Sequence, residues 1–163
     1  MRPIRNKIKE RAELREIVAD LKTQGKKIVF TNGCFDILHR GHVTYLEEAR
    51  KLGDVLIVGI NTDTSVQEIK GGTRPIVSEE ERMAVLAALE SVDYVVPFTE
   101  PDPFELISLL RPDCLVKGGD WNEKDIVGRE FVAKSVTVPY VEGASTTRII
   151  ETILDRYRPA GDS

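Results

Sequence analysis

Apolar and polar positions along the chain form two alternating kinds of segment. Five short runs read as strands, most of them apolar without polar alternation: Lys27–Asn32, Val55–Ile60, Tyr94–Pro97, Cys114–Lys117 and Ser135–Tyr140. Such runs predict strands buried on both faces. Segments with helical spacing lie between them. Leu14, Ile17, Val18 and Leu21 mark a helix over roughly Lys9–Gln24, stopped by Gly25. Further helices are predicted over Gly41–Leu52, closed by Gly53, and over Asp63–Ile69. Ser78-Glu-Glu-Glu81 is a capping box that opens a helix through Leu89. Asp102 caps a helix to Leu110 with Pro103 at its first position, and Ser145–Tyr157 is the last helix.

Strands alternating with helices predict an α/β fold, a five-stranded doubly wound parallel sheet with helices on both faces. Residues 1–25 read as an N-terminal helical arm and 26–158 as the one domain. In such sheets ligands bind beyond the carboxyl ends of the strands, at the point where the strand order reverses. Chemistry is therefore expected just after each strand.

Composition narrows the class. Of the 163 residues 41% are hydrophobic and 31% charged, a globular balance. The net charge of -4 argues against a general nucleic-acid binder. No apolar run is long enough to span a bilayer, and the charged start Met1-Arg-Pro-Ile-Arg shows no secretory signal. Cys34 and Cys114 lack metal-ligand spacing and read as free thiols. The expectation is a cytoplasmic protein with no membrane or nucleic-acid partner.

The chemistry-bearing residues cluster where the fold predicts. The first strand runs into Thr31-Asn-Gly-Cys-Phe-Asp-Ile-Leu-His-Arg-Gly-His42, which holds both histidines of the chain at a strand-to-helix junction. A helix N-terminus offers free N–H groups and a positive dipole end, and His39 and His42 can donate to phosphate oxygens that gain charge. Gly41 permits close approach. Ser145, Thr146 and Thr147, in Gly143-Ala-Ser-Thr-Thr-Arg-Ile149, open another helix where hydroxyls and amides can hold phosphate. After the fourth strand, Val116-Lys-Gly-Gly-Asp-Trp121 brings Lys117 for phosphate, Gly118 and Gly119 for close backbone approach, and Asp120 for a base or ribose. Lys70, Arg74 and Arg82 form a basic cluster on a mobile-looking stretch, suited to a triphosphate or a second substrate's phosphate.

The first of these stretches resembles the His-x-Gly-His signature of the cytidylyltransferase-like nucleotidyltransferases, and Gly143–Ile149 resembles a second motif of that superfamily. Together with Lys70-Gly-Gly-Thr-Arg-Pro75, Val116–Asp120 and Glu142–Thr147 they are similar to the heptose 1-phosphate adenylyltransferase domain, over about Lys27–Leu154. That domain is often fused to a sugar kinase. The resemblance implies a Rossmann-like fold and transfer of AMP from ATP to a heptose 1-phosphate, giving ADP-heptose for bacterial surface polysaccharide, with pyrophosphate released. It implies direct attack of the sugar phosphate on the α-phosphorus, without a protein nucleophile. His39, His42, Lys70 and Arg82 would be catalytic. Asn32, Gly33, Cys34, Phe35, Gly41, Lys117, Gly118, Asp120, Ser145, Thr146 and Thr147 would bind nucleotide. Asp36, Asn61, Asp63 and Arg74 would face the sugar phosphate. Mg²⁺ is expected with the triphosphate although no carboxylate cage is apparent, and a homodimer is expected.

Glycerol-3-phosphate cytidylyltransferases are similar too, but carry an arginine where this chain has Tyr140 and two acidic residues where it has Gly119-Asp120. A catalytically inactive nucleotide-binding regulator stays open. A class I aminoacyl-tRNA synthetase shares the histidine signature, but this chain has no room for its tRNA-binding domains.

Overall fold

The computed structural model describes residues 1–119 and 121–158. In chain order the elements are α1 (Arg11–Thr23), β1 (Ile28–Gly33), α2 (Arg40–Arg50), β2 (Val55–Asn61), α3 (Asp63–Lys70), α4 (Glu79–Ala88), β3 (Tyr94–Phe98), α5 (Phe104–Leu110), β4 (Cys114–Gly118), β5 (Lys134–Val138) and α6 (Thr146–Tyr157). The five strands form one parallel sheet in the order β3-β2-β1-β4-β5. The order reverses between β1 and β4.

Side chains alternate across a strand, so β1 feeds two cores. Ile28 and Phe30 pack with Leu14 and Val18 of α1 and with Leu106 and Ile107 of α5. Val29 packs on the other face with Leu46 and Ala49 of α2 and Leu86 of α4. Every residue of β2, the strand between β1 and β3, is buried. Leu14 and Val18 are core residues, so α1 is seated against the body of the domain.

Most predicted elements appear within a residue or two of their expected bounds, and the departures have local causes. β5 stops at Val138, short of the expected Tyr140, because Pro139 has no N–H for the ladder. The helix expected from Asp102 starts at Phe104. Pro103 is its cap residue, while the Asp102 carboxylate accepts the Phe104 N–H at 2.9 Å. Ser78 does cap α4: its hydroxyl accepts the Glu81 N–H and donates to the Glu81 carboxylate.

The first nine residues straddle the free edge of β3, which the sequence pattern did not reveal. Ile8 bridges Val95 in parallel, and Lys7 donates to the carbonyls of Leu89 and Val92 at 3.0 and 2.7 Å. An edge strand that would otherwise offer open hydrogen-bonding groups is thereby covered.

Candidate active site

The turn from β1 into α2 builds the centre of the site. His39 is the N-cap of α2: its Nδ1 accepts the Gly41 N–H at 3.1 Å, the part a Ser or Asp oxygen usually plays. A Cβ on Gly41 would lie 2.9 Å from the His39 ring and 3.1 Å from Ala144. Glycine is thus required here by the packing of protein groups. His42, one turn into the helix, stacks on His39 with ring centroids 3.9 Å apart and 23° between planes. Phe35 lies 5.3 Å from the His42 ring and holds a left-handed backbone, φ 47°, a strained conformation for an aromatic residue. Gly33 leaves room for the Phe35 ring, which a Cβ would approach to 3.0 Å. Burial, and secondarily the neighbouring His39, pushes the His42 pKa down to about 4. Burial lowers that of His39 as well.

The residues expected to face the sugar phosphate and the triphosphate are sorted differently by the fold. Asp36 is buried and accepts from Arg74 Nε at 2.5 Å, from Ile76 N at 2.9 Å and from Val77 N at 2.9 Å. Burial works to raise its pKa, but the Val77 and Ile76 amides and Arg74 outweigh it and hold the carboxyl below its ordinary value. Arg82 is also buried. It donates to the carbonyls of Val77, Cys34 and Asn61 at 2.9, 2.7 and 2.8 Å and to Asp63 Oδ1 at 2.7 Å. Asn61 is buried too and donates to Ser65 Oγ at 3.0 Å.

These contacts correct the expectation of one basic cluster and of three polar groups open to a sugar. Arg82, Asp36 and Asn61 have spent their polar atoms on the protein, because each sits where several backbone groups converge and need partners. Arg74 is committed to Asp36, and Asp63, half-buried, pairs with Arg82. Lys70 alone of the three cations is exposed, beside Gly71 and Gly72, around which no atom lies within contact distance of a built Cβ. Burial raises the Cys34 thiol pKa against the opposing pull of Lys70, Arg82 and Arg74, so it stays a thiol at neutral pH.

At the switch point Lys117 donates to Asn32 Oδ1 at 2.5 Å. Burial lowers the Lys117 pKa to about 8. Sequence reasoning missed Tyr45, whose hydroxyl lies 2.5 Å from Thr31 Oγ1 and 3.0 Å from the Val116 carbonyl, tying α2 to β1 and β4. Its position three residues after His42 was the available signal. Gly118 and Gly119 were expected to give a nucleotide close approach. Here the Tyr140 ring lies on them, so that a Cβ on Gly119 would meet it at 2.3 Å. Trp121 donates to the Gly118 carbonyl at 3.0 Å. Asp120 lies outside the described residues.

Across from the histidines, Ser145 caps α6 by accepting the Arg148 N–H at 3.1 Å, and the Thr146 hydroxyl donates to the Ile37 carbonyl at 3.3 Å. Thr147 is exposed. Two helix N-termini therefore meet at a groove of about 410 Å³ lined by His39, Arg40, Ala144, Ser145, Arg148 and Ile149, among others. The groove gathers hydrogen-bond donors, cations and two positive dipole ends, an arrangement suited to an anion such as phosphate. Among the described residues there is no cluster of three metal-ligating side chains.

Comparison with known proteins identifies the family. A family model described as Cytidylyltransferase-like matches residues 30–152. Bifunctional protein HldE of Syntrophotalea carbinolica is 51% identical over 156 residues, covering 93% of this chain and 32% of that protein. Bifunctional protein HldE of Aliarcobacter butzleri is 56% identical over 146 residues, covering 90% and 31%. The chain thus spans about a third of the length of the curated relatives it matches. A lipopolysaccharide core biosynthesis protein from Thermoplasma volcanium, known by crystal structure, has a TM-score of 0.63 and 31% identity, covering 72% of this chain and all of that one.

Proposed function

The chain belongs to the cytidylyltransferase-like family, and from that premise we propose that it is a nucleotidyltransferase that moves AMP from ATP to a heptose 1-phosphate, releasing ADP-heptose and pyrophosphate. The observation that carries the reading is the His39–His42 pair stacked at the start of α2, with His39 lining the groove opposite the start of α6. Support for the acceptor comes from the relatives named HldE and from the lipopolysaccharide core biosynthesis protein.

In this reading a phosphate oxygen of the sugar attacks the α-phosphorus in line, and the P–O bond to the pyrophosphate breaks. The protein positions the reactants and stabilises charge. His39 and His42 donate to the phosphates being cleaved. Lys70, exposed at the end of α3, draws the pyrophosphate, and the N-terminus of α6 at Ser145 and Thr146 anchors the outer phosphates. Arg82 and Asp36 are positioning residues. They hold the 62–82 segment against the β1–α2 turn. Mg²⁺ is part of the proposal as a companion of ATP. With Asp36 and Asp63 already committed to arginines, phosphate oxygens and water would supply its ligands. A homodimer in the cytoplasm completes the proposal, and sedimentation tests the dimer. Among the described residues no helix is long and apolar enough to cross a membrane.

The deciding assay is pyrophosphate release with ATP, CTP and GTP against a panel of sugar phosphates and glycerol 3-phosphate. The expected optimum is ATP with a heptose 1-phosphate. A preference for CTP with glycerol 3-phosphate of about tenfold or more in kcat/KM, about 1.4 kcal/mol, would overturn the assignment.

A further inference from the structure

The surroundings of the two histidine rings define where their protons sit. His39 Nδ1 accepts the Gly41 N–H. An accepting ring nitrogen carries no proton, so a neutral His39 is protonated on Nε2. His42 Nδ1 is closed off from solvent and meets no partner. A proton there would be a buried donor without an acceptor, which costs more than an unused lone pair. The neutral ring again places its proton on Nε2.

Among the described residues nothing nearby favours a charged ring. Burial disfavours the cation in both, and the stacked partner adds to the effect at His42. The charged groups lining the groove beside His39 are Arg40 on α2 and Arg148 on α6, both cations. Among the described residues no carboxylate pairs with either imidazole, and Asp36 of the same turn is turned to Arg74 and two backbone amides.

We propose that His39 and His42 act as two uncharged Nε2–H donors fixed side by side, and that Gly41 is the positioning residue that sets the first. That these donors meet phosphate rests on the nucleotidyltransferase reading. Which nitrogen carries the proton rests on the geometry alone. The pair moves no proton during turnover. It meets the charge that develops on phosphate oxygens with two preset N–H groups, and the positive potential of the site comes from helix ends, lysine and arginine. The glycine between the histidines has a physical cause as well, since a side chain at 41 would push the His39 ring off its cap.

The chain has only two histidines, so long-range ¹⁵N–¹H NMR of the whole protein resolves all four ring nitrogens. The expected result is an imine-type Nδ1 and a pyrrole-type Nε2 in both rings between about pH 7 and pH 8. A pyrrole-type Nδ1 or a cationic ring at about pH 7 in either residue overturns the proposal. Kinetics give a second readout. Gln puts an uncharged N–H near the place of Nε2, and Asn puts one near Nδ1. His42→Gln is expected to keep at least about tenfold more kcat than His42→Asn, with His42→Ala down on the order of 10²–10³. Equal losses in Gln and Asn would count against the Nε2 assignment. If the wild-type chain releases no pyrophosphate from any nucleotide, the functional reading fails while the spectra still decide the tautomers.

Discussion

Lys117 places its ammonium on the Asn32 side-chain oxygen at the switch point, and burial brings its pKa to about 8. A folded value below the ordinary 10.5 means that the unfolded chain holds the proton more tightly. The native state therefore gains stability as pH climbs from about 8 toward 10.5. The phosphate contact expected of Lys117 runs the opposite way, because the neutral amine loses its attraction for an anion. KM for the nucleotide is expected to rise above about pH 8, and Lys117→Met is expected to raise KM at neutral pH and flatten that dependence. A pH series of KM for both proteins checks it. At this scale the sequence exposed what was chemically rare, the two histidines in one turn. It did not expose burial. Asp36, Asn61 and Arg82 read as outward groups because charged and amide side chains are exposed by default. Arg82's acceptors at Cys34 and Asn61 lie 48 and 21 positions away.

The segment from α3 to α4 is fastened at two points, Asp36 holding its loop and Arg82 the start of α4. Removing Arg82 strands the Asn61 carbonyl and the Asp63 carboxylate without their donor. Arg82→Met is expected to cost about 3–5 kcal/mol by denaturant unfolding. Arg82→Lys should recover only part, since one ammonium cannot reach acceptors arranged around a planar guanidinium. Asp36 adds an acid limit. Its carboxyl is held below the ordinary 3.8, so its stabilising contribution is complete above that value and is lost as pH falls through the lowered one. Hydrogen exchange in 74–77 should rise there first. The elements themselves were legible wherever a local signal fixes a boundary: the Ser78 capping box, Gly25 after α1, Ser145 before α6. The strap at residues 7–9 was not, since its pattern has no period and its partners, Leu89, Val92 and Val95, are far along the chain.

Over the whole molecule the charge is -4, and the groove where the two helices start is lined by two cations, Arg40 and Arg148. Nonspecific nucleic-acid binding needs many cations spread along phosphates. No shift is expected when roughly micromolar protein meets DNA or RNA in a gel at physiological salt. The sequence by itself determined the alternation of strand and helix, the parallel sheet that alternation requires, and the grouping after β1, β4 and β5 of the residues proposed to bind phosphate. These follow from periodicity, caps and residue chemistry, which act over a few neighbouring positions. Only the tertiary structure decided which polar groups hold the frame and which face the groove. It made His39 a helix cap, seated Tyr140 on the two glycines, and turned Asp36 and Arg82 inward. Those outcomes depend on which backbone donors and acceptors meet when strands distant in sequence come together. A buried polar atom must be satisfied by whatever the fold brings beside it.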